Sequence, residues 1–127
     1  MLLTGGVFAM LILLTPHANA TNAFPLPNSS DELPWHWLQH QFKTTNDIAM
    51  NNWFSRNLMG NFNFHLAHHL FPNISSVYAP EVTRVIEEFA NTHKYSYRSY
   101  GLLSALKSHY ELIKSNALSF DFFEDDM

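Results

Sequence analysis

The alternation of apolar and polar positions changes character several times along this chain, and each change predicts an element. Residues 1–15, MLLTGGVFAMLILLT, form an uncharged, mostly apolar run. A helix that crosses a bilayer needs roughly 20 such residues, so the run reads as the second half of a membrane helix. A secretory signal peptide is the competing reading, because Ala18-Asn19-Ala20 has the small-x-small cleavage pattern. Against it, no Lys or Arg precedes the apolar run, whereas a signal peptide normally starts with basic residues. From Asn22 to Pro34 the pattern turns polar and is spaced by Pro25, Pro27 and Pro34, which predicts an irregular interfacial loop. Trp35, Trp37 and Phe42 follow, with His36 and His40 between them; the rings suit either a membrane–water boundary or a packed core.

Residues 48–71, aromatic-rich with scattered amides, read as a helix kinked at Gly60 and ended by Pro72. Pro80 then suits the first turn of a new helix, where its missing N–H costs nothing. Val82, Val85, Ile86 and Phe89 recur at helical spacing, with Arg84, Glu87 and Glu88 on the other side. Tyr95, Tyr97 and Tyr100 lie in a short link before a second amphipathic helix, Leu102 to about Leu118, with Leu103, Leu106, Tyr110 and Ile113 on one side. The expectation is an all-α chain: residues 1–16 a partial membrane helix, 17–47 an interfacial loop, 48–118 a helical cap, and 119–127 an acidic tail.

Composition supports that picture. Charged residues make up only 14% of the 127, against roughly 25% in a typical soluble domain. Aromatics reach 15%, and the 8 His outnumber the 7 Lys plus Arg. Low charge with many rings suits a chain that meets lipid or packs on other apolar segments. A net charge of -4 gives no basic surface and argues against nucleic acid as a partner. With 0 Cys, disulfides, zinc–thiolate sites and thiol nucleophiles are excluded, and any metal must be held by His, carboxylate or amide groups.

The chemistry concentrates at His65-Leu66-Ala67-His68-His69. On a helix these three His stand at i, i+3 and i+4, on one face within about a turn. Their neighbours Phe62, Phe64, Leu66, Leu70 and Phe71 are apolar, so imidazolium is disfavoured and the neutral, metal-binding form prevails. Converging imidazoles suit iron or zinc. Two adjacent His cannot easily reach one metal from one helix, so the spacing better divides its ligands between two metals. His36 and His40 also stand at HxxxH spacing, which on a helix would make a further pair.

The string Asn63-Phe64-His65-Leu66-Ala67-His68-His69-Leu70-Phe71-Pro72 resembles the third histidine box, HxxHH followed by LFP, of membrane fatty-acid desaturases. Upstream, His40-Gln41-Phe42-Lys43-Thr44-Thr45-Asn46-Asp47 is similar to the HQ-x-x-TT segment before that box. Phe24-Pro25-Leu26-Pro27, Trp53-Phe54 and Gly60-Asn61-Phe62-Asn63 resemble further stretches of the family, and the likeness covers roughly residues 8–100. It implies two irons held mostly by His on the cytosolic face of a larger helical membrane domain, O2-dependent insertion of a double bond into an acyl lipid, and electrons from cytochrome b5 or ferredoxin. By matching position, His65, His68 and His69 would be iron ligands, joined by His17 after the apolar run, with His40 in a supporting place. His93 and His109 match no box and are expected at the surface. The family's first two boxes, HxxxH and HxxHH, lie well upstream of the third and have no counterpart at their places here. The resemblance therefore implies the C-terminal part of a desaturase, inactive alone and completed by a missing N-terminal portion. Two other readings stand beside it: a related di-iron membrane hydroxylase, and a small secreted three-histidine metal protein with a signal peptide ending at Ala20.

Overall fold

The computed structural model describes residues 6–7 and 14–118. Most of the apolar run and all of the acidic tail lie outside the described residues. Among those described, no helix is long and apolar enough to cross a membrane. The described part is mostly helical. Its elements in chain order are α1 (Trp37–Thr44), β1 (Asp47–Ile48), α2 (Trp53–Asn57), α3 (His65–Leu70), a 3-10 turn (Ser76–Tyr78), α4 (Ala79–His93), β2 (Ser99–Tyr100) and α5 (Leu102–Leu118).

The two periodic segments fold as their spacing predicts. In α4 Pro80 sits in the first turn and Lys94, in the left-handed conformation, ends the helix. The segment Leu102–Leu118 is one helix. Residues 22–34 contain no helix, as their prolines require. The stretch expected to be loop up to residue 47 nevertheless carries α1, which buries Phe42.

Residues 48–71 do not form one kinked helix, and the reason lies in their amides. Asn52 caps α2 through a reciprocal capping box with Ser55 and so starts a helix inside the segment. Gly60 (φ 55) and Asn61 (φ 60) then turn the chain through the left-handed region. The Asn63 amide donates to the Ile48 and Met50 carbonyls at 3.1 and 2.6 Å, which ties the start of α3 back onto β1. Short polar side chains that bond the backbone compete with helix. Here they divide the segment into a strand, a short helix, a turn and α3.

β1 pairs with β2 in parallel, Asp47 opposite Ser99 and Ile48 opposite Tyr100. Two apolar clusters flank this pairing. Phe42, Leu66, Ala67, Ile86 and Ala90 join α1, α3 and α4; Ile48, Met59 and Ala105 join β1, the turn after α2, and α5. Residues His17 to Asn22 form a loop knit by its own amides and by side chains from three other segments. Asn22 Nδ2 donates to the carbonyls of Pro16 and His17, both at 2.7 Å. Asn46 Nδ2 donates to Thr21 Oγ1 at 2.9 Å. The Arg98 guanidinium bridges Thr21 O to the Phe42 and Lys43 carbonyls at the end of α1. From α5, Ser108 donates to Asn19 Oδ1 at 2.6 Å and the His109 ring bonds Ala18 O.

Candidate metal centre

Three imidazoles converge between this loop and α3. His65 Nε2 lies 2.7 Å from His17 Nε2, and His69 Nε2 lies 3.2 Å from the same atom. Potential ligand atoms of His17, His65 and His69 all fall within 4.8 Å of one another. His65 is buried, while His17 and His69 are half-buried.

The other side of each ring is also engaged. His65 Nδ1 meets the Phe62 carbonyl at 3.3 Å. His69 Nδ1 meets Gln41 Oε1 at 2.8 Å. The His17 ring is hydrogen-bonded by the Thr44 backbone. A carbonyl only accepts, so Nδ1 of His65 carries the proton and its Nε2 presents a lone pair. Burial, reinforced by the neighbouring imidazoles, holds His65 at about 3 and His69 at about 4. Burial likewise lowers His17. The rings are therefore neutral at physiological pH, and their lone pairs crowd one small volume. Such crowding is unfavourable unless a cation sits among them. Nitrogen donors of this kind suit iron, zinc or copper, and three protein ligands leave positions open for water or substrate. The residues present therefore fit a transition-metal ion.

The spacing on α3 explains which histidines join. At about 100° per residue, His69 lies about 40° to one side of His65 and His68 about 60° to the other. The loop bearing His17 approaches on the His69 side. His68 is exposed and its ring packs 5.2 Å from Phe62, with centroids 5.9 Å from His65 and 6.2 Å from His69. The expected common face for all three is thus divided. His36 is exposed and His40 leans toward Trp35 at 6.4 Å, so this HxxxH pair stands outside the trio. His93 is exposed, as expected. His109, expected at the surface, is instead 4% exposed and docks α5 on the loop.

Sequence reasoning assigned no role to the groups that hold these ligands. α3 has only six residues and its N-cap, Phe64, provides no side-chain bond. Asp47 takes over that task from 19 positions away: Oδ1 accepts from Leu66 N at 2.8 Å, and the His65 backbone bonds the same carboxylate. Oδ2 accepts from the Tyr97 hydroxyl at 2.8 Å. Burial raises the Asp47 carboxyl to about 6 despite these donors. The Tyr97 hydroxyl is pushed above its ordinary value by burial and by the adjacent carboxylate. The only available signal was positional, since Gln41 and Asp47 both lie in the HQ-x-x-TT segment and its two following residues.

Comparison with known proteins agrees with the geometry. The family model for fatty acid desaturase matches residues 1–101. The chain is 29% identical to an acyl-lipid (8-3)-desaturase of Physcomitrium patens, over 93% of this chain and 24% of that protein. It is 27% identical to an sn-1 linoleoyl-lipid 6-desaturase of Synechocystis, over 89% of this chain and 32% of that protein. It is 30% identical to an acyl-lipid (8-3)-desaturase of Mortierella alpina, over 58% of this chain and 17% of that protein. The chain therefore spans a third or less of the length of these relatives. No solved structure matches it.

Proposed function

The chain belongs to the fatty acid desaturase family, and on that footing we propose that its histidine centre is one part of a di-iron site for O2-dependent desaturation of an acyl lipid. In this proposal His17, His65 and His69 serve one iron and His68 the other. The observation that carries it is the convergence of three Nε2 atoms on one point while the rings are tied down by acceptors. Division between two metals is supported by His68, which sits on the same short helix yet is exposed and stands outside the trio. The remaining ligands would come from sequence that the relatives possess beyond the matched region. The chain alone is then not an active enzyme. The same reading places the centre on the cytosolic side of a larger membrane-integral domain, with electrons from cytochrome b5 or ferredoxin.

Bound iron would supply the O2 activation and hydrogen abstraction that an unactivated acyl C–H requires. The chain's own residues do something narrower. Burial keeps His65 and His69 deprotonated far below neutral pH, so a metal does not compete with protons for them. Asp47 and Tyr97 hold the helix that carries them.

Metal counting tests this. The full chain loaded with Fe(II) should hold one ion, measured by mass spectrometry. His65→Ala should lose it, and His68→Ala should retain it. Joined to the N-terminal portion of a relative, the chain should give unsaturated lipid products, and His68→Ala should then abolish turnover. Equal metal loss in both variants would overturn the division of ligands. Hydroxylated products in place of unsaturated ones would overturn the reaction assigned.

A further inference from the structure

Of the contacts that hold the three rings from behind, two are made by backbone, at Phe62 and Thr44. The third is made by a side chain, Gln41, whose Oε1 lies 2.8 Å from His69 Nδ1 across 28 positions of sequence. Gln41 is half-buried on α1, one residue before Phe42, which is 2% exposed and anchors the helix in the core with Leu66 and Ala67 of α3. Its neighbour His40 points elsewhere. The amide thus reaches the site from a helix whose placement is set by packing, and it contacts a ring that has no backbone acceptor of its own among the described contacts.

We propose that Gln41 is the positioning residue of this centre, its amide oxygen holding His69 in the Nδ1–H tautomer so that Nε2 faces His17 and His65 with a free lone pair. The inference rests on the metal-centre reading above. The physical reason is simple. A neutral imidazole carries one proton, and whichever nitrogen donates leaves the other to bind metal. Without an acceptor behind it, His69 can rotate or place its proton on Nε2, where it would donate to His17 Nε2 at 3.2 Å. That alternative satisfies the trio internally and closes it to a cation. An acceptor behind the ring also raises the donor strength of the metal-facing nitrogen.

Two measurements on the full 127-residue chain test it. The first needs no metal: long-range proton–nitrogen correlation of the imidazole rings reads which nitrogen of His69 is protonated. Wild type should show Nδ1–H, Gln41→Leu should lose that preference, and Gln41→Glu should keep it. Wild type with Nε2–H, or Gln41→Leu with Nδ1–H unchanged, would overturn the proposal. The second titrates Co(II) followed by its visible absorption. Gln41→Leu should bind about 10- to 100-fold more weakly, and Gln41→Glu, of the same reach, should restore binding. A glutamate variant as weak as the leucine variant would mean that Gln41 only packs, and would overturn the proposal. If wild type bound no Co(II) at all, the metal reading would fail, whereas the ring tautomers would still decide the role of Gln41.

Discussion

Asp47 and the paired imidazoles of α3 pull the stability of this chain in opposite directions with pH. The Asp47 carboxyl is raised to about 6 by burial, so the folded chain binds that proton more tightly than the unfolded one. Its contribution grows as pH falls from about 6 toward the ordinary carboxylate range. His65 and His69 are lowered to about 3 and about 4, so the folded chain binds those protons more weakly. Their contribution is complete above the ordinary imidazole range and is lost as pH falls through it. With His17 lowered in the same direction, three imidazoles oppose one carboxyl, so the metal-free chain should lose stability between about pH 6.5 and 4. Asp47→Asn removes the compensating group and should steepen that loss in denaturant unfolding followed across the range. An unchanged slope would show that Asp47 is ionised throughout. At this scale the histidines were legible, because imidazole is rare and its spacing carries chemistry. Gln41 and Asp47 were not, since amides and carboxylates are common and their partners here are 28 and 19 positions away.

At the scale of elements, periodicity read what is local and missed what is tertiary. α4 and α5 follow from apolar spacing and from Pro80. The β1–β2 pairing joins residues about fifty positions apart over two residues each, too short to leave a pattern. The expected helix over 48–71 failed for a reason that is visible in retrospect: Asn52, Asn61 and Asn63 all serve the backbone of turns and caps. The turn makes a quantitative prediction. A Cβ at Gly60 would meet nothing nearer than the Phe62 ring at 3.9 Å, yet the backbone there is left-handed at φ 55. Gly60→Ala should therefore cost about 1 kcal/mol from conformation alone. Gly101→Ala, with open space around it and no left-handed backbone, should change stability by less than about 0.5 kcal/mol. Thermal unfolding of the pair checks this, and equal effects would contradict it.

Across the whole molecule, the site lies where three separate pieces of sequence meet: the loop after the apolar run, α1, and α3. The family resemblance located the third piece and placed His17 beside it, but spacing alone gave no reason for the first to fold back. That reason is the network of Asn19, Asn22, Asn46, Arg98, Ser108 and His109 around the loop. The apolar face predicted for α4 was also only half informative. Ile86 is buried, but Val85 and Phe89 line an open groove of about 330 Å³ with Leu38, Leu70, Phe71 and Ile74. Periodicity identifies which residues share a face and says nothing about what covers it.

The meeting of His17 with His65 across 48 positions has a consequence for the chain as a polymer. An ion held by both rings is a removable cross-link that closes a long loop. By the chain-entropy relation for cross-links, a loop of that length is worth about 4 kcal/mol. Loading with metal should therefore add to the stability of the already folded chain and fasten this loop to α3 most of all. Stripping the ion with a chelator should accelerate hydrogen exchange at the backbone amides of Asn19–Asn22 well before those of α4. Equal exchange with and without metal would mean that the loop's own amides, and not the ion, fasten the front of this chain to its histidine helix.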